Sequence, residues 1–176
     1  VLRGKAFKFG DSISTDHIVP GRLLHLRSNL PELAKHVLED ADPTFATRVS
    51  SGDFVVAGKN FGLGSSREHA PIVIKMSGVS AVLAQSVARI FFRNAINIGL
   101  PVLICNTSGI DDGDELEVDL EVGKVKNLTS GGEVGFSKMP EIMLRILNEG
   151  GLVPYIKKYG GFDVSPGADK KRRQSL

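Results

Sequence analysis

Ser80-Ala81-Val82-Leu83-Ala84-Gln85, followed fifteen residues later by Pro101-Val102-Leu103-Ile104-Cys105, is the pair of runs that decides the fold class. Short unbroken apolar runs bounded by turn residues read as strands buried on both faces, as in a parallel sheet. The stretch between them is of helical length: Ser86 is placed to cap a helix through Ile98, and Gly99 ends it. The unit is therefore strand, helix, strand, which indicates an α/β domain with a sheet and flanking helices.

Reading outward, Asp53 to Ala57 forms another apolar run, and it leads into Gly58-Lys59-Asn60-Phe61-Gly62-Leu63-Gly64, too rich in glycine for anything but a tight loop. A helix is expected to start at Ser65 or Ser66, with Pro71 kinking it or making its first turn irregular. Lys5 to Phe9 alternates as an opening strand that Gly10-Asp11 stops, and Thr15 to Gly21 reads as loop. Ser28 or Asn29 caps a helix expected to run through Glu39, with Pro31 in its first turn and Leu30, Leu33, Val37 and Leu38 on one stripe. Downstream, Leu116, Val118, Leu120 and Val122 alternate as antiparallel β structure, Glu133 to Phe136 adds a strand, and Pro140 opens a last helix that Gly150-Gly151 stops.

A length of 176 residues with 41% hydrophobic content fits one domain, expected over residues 1–164, with 165–176 as a disordered basic tail. The net charge of +2 misleads, because Lys170, Lys171, Arg172 and Arg173 stand against Asp169 alone at the end, and the body is nearly neutral. A nearly neutral body with 6% aromatics lacks the basic face that nucleic acid requires. No apolar run approaches the roughly 20 residues that span a bilayer, and no signal architecture opens the chain, so a soluble cytoplasmic protein is expected. The single cysteine, Cys105, cannot hold zinc or an iron–sulfur cluster, which take about three or four ligands, so no metal site is expected in this chain.

Two segments carry the polar chemistry. In Gly62-Leu63-Gly64-Ser65-Ser66-Arg67-Glu68-His69 small residues lead to two hydroxyls and a guanidinium, a set suited to a carboxylate or phosphate. An ordinary serine N-cap with Glu68 and His69 in the first turn satisfies the same residues. The missing Gly-Lys-Ser/Thr excludes a Walker loop, and the missing third glycine a dinucleotide fingerprint. In Ser14-Thr15-Asp16-His17-Ile18 acid and imidazole adjoin, either as a proton relay or as a turn with a solvent-facing histidine. His25 and His36 have no partner at metal-ligand spacing and read as surface residues.

Ser14-Thr15-Asp16-His17-Ile18 followed by Gly64-Ser65-Ser66-Arg67-Glu68-His69 resembles the swivelling C-terminal domain of the aconitase superfamily, a β/β/α domain of mixed sheets that many prokaryotes make as a separate small subunit. The likeness covers about residues 4–160 and includes Ser86-Val87-Ala88-Arg89-Ile90 and the stretch from Asn94 to Pro101. It implies that Ser65 removes the proton next to a substrate carboxylate, that Ser66 and Arg67 bind the substrate, and that Thr15, Asp16, His17, Gly64, Glu68 and His69 support them. It also implies a partner: a large subunit whose cysteines hold the catalytic 4Fe-4S cluster, this chain being inactive alone and the substrate a small carboxylic acid.

Small-subunit members include 3-isopropylmalate dehydratase, homoaconitase and dimethylmalate dehydratase. Leu24-His25-Leu26-Arg27-Ser28 resembles the family's Tyr-Leu-Arg-Thr loop, associated with homoaconitase-like or broader specificity, where Arg27 receives an anionic group. Long-loop sequences with Leu-Arg-Ser-Asn-Leu-Pro instead resemble isopropylmalate enzymes, and isopropylmalate is ranked first. A non-catalytic anion-binding domain is the reading of a different class. Arg22 to Ser28 is expected to be mobile until the large subunit and substrate order it.

Overall fold

The structure, a computed structural model, describes residues 1–160. The tail at 165–176 and the domain boundary at 164 lie outside the described residues. A seven-stranded mixed sheet runs through the molecule in the order β4-β3-β2-β1-β5-β6-β7, with strands Leu2–Lys8 (β1), Phe54–Ala57 (β2), Ala81–Ala84 (β3), Val102–Ile104 (β4), Glu115–Asp119 (β5), Lys124–Asn127 (β6) and Glu133–Gly135 (β7). β1 to β4 are parallel, in register at Ala6↔Phe54, Phe54↔Ala81 and Val82↔Val102, and β5 to β7 continue antiparallel from the other side of β1.

Every residue of β2 and β3 is buried, and successive side chains point to opposite faces. Val55, Ala57, Val82 and Ala84 therefore enter one core while Phe54, Val56, Ala81 and Leu83 enter another. The first core packs against His69–Met76 (α4, with α1 to α3 given below) and the inner face of Arg89–Asn97 (α5), through Ala70, Val73, Ile74, Phe91 and Ala95. The second takes Ile146, Leu147, Tyr155 and Tyr159 from Glu141–Asn148 (α6) and Leu152–Tyr159 (α7). The α/β class and the flanking helices are as the sequence indicates.

Several elements depart from the sequence reading. Thr15–Ile18 (α1) is a helical turn rather than loop. Ser14 caps it by accepting the His17 N–H, while His17 Nδ1 accepts the Ser14 N–H at 2.9 Å, a capping box with imidazole in place of Glu or Gln. Gly21–Leu26 is a 3-10 helix whose Leu23, Leu24 and Leu26 pack on the first core, and Arg22 pairs with Asp40 and Glu39 at 2.8 and 2.7 Å. The segment, expected to lack regular structure, forms this turn because its apolar residues pack on the core without a helical period.

The helix expected through Glu39 stops early, as Leu30–Ala34 (α2), capped by Asn29. Leu38 leaves the helical path at φ 57°, is fully buried, and gives its N–H to Ile18 C=O. Phe45–Arg48 (α3) places Phe45 edge-on to Phe7 at 5.1 Å and Phe9 at 5.5 Å. α5 begins at Arg89, not after Ser86, because the Ser86 hydroxyl takes the Asn60 N–H instead. The helix opened by Pro140 is not the last, since α7 follows Gly150-Gly151. The opening strand starts at Leu2, three residues before the expected Lys5.

Two outcomes test this packing. At Gly62, φ is 79° and an added Cβ would lie 2.4–2.9 Å from Phe91 Cβ, Cγ and Cδ2. Gly62→Ala is expected to cost about 2–4 kcal/mol, read as a lower urea midpoint. Burial pushes the Cys105 thiol up to about 11, so at pH 8 a disulfide reagent should leave the native chain unlabelled and titrate one thiol after unfolding in guanidinium.

Candidate active site

The loops that follow β1, β2 and β3 remain paired past the ends of the strands. Gly58 N–H bonds Gly10 C=O, Ser12 N–H bonds Lys59 C=O, Gly62 N–H bonds Ile13 C=O and Thr15 N–H bonds Leu63 C=O. On the other side Phe61 N–H bonds Ser86 C=O and Ala88 N–H bonds Phe61 C=O. These contacts gather three loops at the carboxyl ends of parallel strands, the usual place for a site in such a sheet. A cavity of about 240 Å3 opens there, with Thr15, Gly62 and Gly64 to Arg67 on one wall and Ala88 to Phe91 with Asn94 on the other.

Arg67 is the fixed cation of this cavity. Its side chain is 17% exposed, and its Nη1 meets Asp16 Oδ1 at 3.1 Å and donates to Val19 C=O. Asp16 also takes the Gly21 N–H at 2.9 Å. Because Asp16 is itself 64% exposed, the pair contributes little to stability, and its effect is to aim the guanidinium. Among the described residues Nη2 and Nε of Arg67 have no hydrogen-bond partner, nor have the hydroxyls and backbone N–H groups of Ser65 and Ser66. Both serines are exposed to the cavity.

The helix expected at Ser65 or Ser66 begins instead at His69, with Glu68 as N-cap. Arg67 N–H folds back onto Ser65 C=O at 2.8 Å, a tighter turn than a helix makes, and Gly64 sits at φ 101° just before it. Pro71 falls in the first turn of α4, where a missing N–H costs nothing. The helix start that faces the cavity is that of α5, which has no side-chain cap and no acidic residue in its first turn. Arg89 and Asn94 on this wall were given no role from the sequence; an arginine opening the helix after a buried parallel strand was the available signal.

Thr15, Gly64, Ser65, Ser66 and Arg67 are brought together. His17 is engaged in the α1 cap through Nδ1 and does not line the cavity. Glu68, His69 and Arg27 do not line it either; Arg27 ends the 3-10 helix with its side chain exposed. His36 lies 2.8 Å from Glu39, and His25 bonds Arg22 C=O. Another cavity, of about 230 Å3 between residues 106–110 and β6–β7, has Glu133 as its titratable group, and that carboxylate is paired with Lys124. Among the described residues no group of three or more His, Cys, Asp or Glu side chains is placed to hold a metal ion, and no helix is long and apolar enough to cross a membrane.

Residues 13–106, which contain both walls of the cavity, match the aconitase C-terminal domain family. This chain belongs to that family. It is 66% identical over 161 residues to the 3-isopropylmalate dehydratase small subunit 2 of Archaeoglobus fulgidus, covering 92% of this chain and 98% of that one. It is 52% identical over 158 residues to the methanogen homoaconitase small subunit of Methanothermobacter thermautotrophicus, covering 90% and 92%. The crystal structure of 3-isopropylmalate dehydratase (leuD) from Methanocaldococcus jannaschii superposes with a TM-score of 0.87 at 42% identity, covering 99% of this chain and 97% of that one. The sheet and the flanking helices are thus those of an aconitase-type domain.

Proposed function

We propose that this chain is the small subunit of a hydro-lyase of the 3-isopropylmalate dehydratase type, which isomerises 2-isopropylmalate and 3-isopropylmalate by removing and returning water in leucine biosynthesis. The observation that carries the reading is the pair of unpartnered hydroxyls, Ser65 and Ser66, beside an Arg67 held from behind by Asp16 and Val19. The names of relatives covering nine-tenths of the chain support the substrate class. The enzyme acts in the cytoplasm and only with a large subunit. The described residues offer no ligand set for an iron–sulfur cluster, so the reading assigns the 4Fe-4S cluster to that partner.

On this chain the chemistry is binding and proton transfer. Arg67, tethered through Nη1, presents Nη2 and Nε to a substrate carboxylate, and the Ser66 hydroxyl donates a further hydrogen bond. Ser65 takes the proton from the neighbouring carbon. A serine hydroxyl is too weak an acid to ionise unaided, so its alkoxide needs a positive surrounding; Arg67, Arg89 and the uncapped start of α5 line the same cavity and supply it. Glu68 and His69 support the loop from the start of α4. Arg27 reaches the variable group of the substrate when its segment closes over the cavity with the large subunit in place.

A second reading, a homoaconitase small subunit, is favoured by that same exposed guanidinium, which suits a carboxylate better than an isopropyl group. Ser65→Ala in the reconstituted complex is expected to lower kcat by about 10²- to 10⁴-fold without loss of assembly, measured by steady-state turnover and gel filtration. Activity within about tenfold of wild type would remove Ser65 from the base role. Arg27→Val is expected to move the ratio of kcat/KM for homoaconitate over isopropylmalate down by about 10- to 100-fold, since a guanidinium facing an apolar group is desolvated without a partner. A constant ratio would show that Arg27 does not read the side group.

A further inference from the structure

Thr15 is 4% exposed, yet it belongs to the cavity wall. Its two donors both reach the serine loop about fifty residues ahead: the N–H donates to Leu63 C=O at 2.8 Å, and the hydroxyl donates to Ser65 C=O at 2.7 Å. Ser65 C=O also accepts the Arg67 N–H at 2.8 Å, so both of its lone pairs are engaged. Between these anchors lies Gly64 at φ 101°, whose added Cβ would meet Thr15 Oγ1 at 3.4 Å. The hydroxyl of Thr15 thus sits against the turn that sets the direction of Ser65.

A peptide unit is planar and trans, so fixing one end fixes the other. With Ser65 C=O drawn to Thr15, the N–H of Ser66 points the opposite way, and among the described residues it has no partner. Together with the turn closed by the Arg67 N–H, this anchor restricts ψ of Ser65 and so the direction of its Cα–Cβ bond, leaving χ1 as the main freedom of its hydroxyl. A side chain that must meet a carbon-bound proton needs this restriction, because a misplacement of about 1 Å in a reacting group costs roughly 10²-fold in rate.

We propose that Thr15 is the positioning residue of Ser65: through the hydrogen bond to Ser65 C=O it orients the proton-accepting hydroxyl and the Ser66 amide toward the substrate. This rests on the reading of Ser65 as the base. Thr15→Val keeps the branched shape and the burial but removes the donor. Ser65 C=O retains the Arg67 N–H and is not orphaned, so the effect falls on orientation more than on folding.

The test is steady-state kinetics on the complex reconstituted with its large subunit, beside thermal melts of Thr15→Val, Thr15→Ser and Ser65→Ala. Thr15→Val is expected to lower kcat by about 10- to 100-fold while KM stays within about twofold and the melting midpoint within a few degrees. Thr15→Ser, which restores the donor, should recover kcat to within about threefold of wild type. The proposal is overturned if Thr15→Val turns over at the wild-type rate, if its loss appears in KM instead of kcat, or if Thr15→Ser is as impaired as Thr15→Val. Ser65→Ala separates the two readings. An inactive Ser65→Ala with a fully active Thr15→Val defeats the positioning role alone, whereas an active Ser65→Ala defeats the base and, with it, what Thr15 was to position.

Discussion

Backbone pairing that continues past the ends of β1, β2 and β3 holds the rest of the site in place. Ordinary parallel strands release their chains into separate loops, but here six N–H to C=O bonds carry the pairing on through Gly10, Ile13, Thr15, Lys59, Phe61, Leu63 and Ala88. Five of the six have a buried residue at one end or both, the exposed Ser12 and Lys59 making the other, and a buried backbone group needs such a partner. The arrangement needs glycine at Gly62, where the backbone lies against the Phe91 ring. That approach is what sets α5 as the second wall of the cavity.

Charge in the cavity is arranged unevenly. Arg67 is neutralised on one side only, by an Asp16 that is itself turned to solvent, while Arg89 and the uncapped first turn of α5 have no acidic partner among the described residues. An excess of positive field at a concave surface attracts an anion and lowers the cost of forming one in place. The buried face of the same elements has the opposite character: Phe61 meets Phe91 edge-on at 5.2 Å, and no titratable group intrudes between them. The site is a polar rim on an apolar floor.

Much of the fold could be read along the chain. The runs at 54–57, 81–84 and 102–104 are buried on both faces, and this leaves a local mark, an unbroken apolar stretch, that periodicity detects. Gly99 at φ 84° and Gly150 at φ 89° likewise follow helix ends in the left-handed region that glycine favours. The misread segments were those whose stability comes from elsewhere. Leu23, Leu24 and Leu26 follow no helical period because a 3-10 turn packs them on a core built by other elements. α2 ends at Ala34, and the chain beyond it turns so that Leu38 meets Ile18, a partner twenty residues away.

For the site, the residue types and the order of the serine loop were legible: Gly62 to Arg67 carries its hydroxyls, guanidinium and glycines in a single stretch, and the family resemblance implies Asp16 as a supporting residue. By itself the sequence determined the alternation of strand and helix, the positions where glycine must break it, and which polar groups meet in one loop. The tertiary structure decided where α4 begins, that the start of α5 with Arg89 and Asn94 forms the opposing wall, that His17 caps a helix, and that Thr15 holds Ser65. The physical reason is range. Periodicity and turn preference act between near neighbours, whereas the Thr15 to Ser65 bond joins groups fifty residues apart, and such a contact exists only once the sheet has brought its loops together.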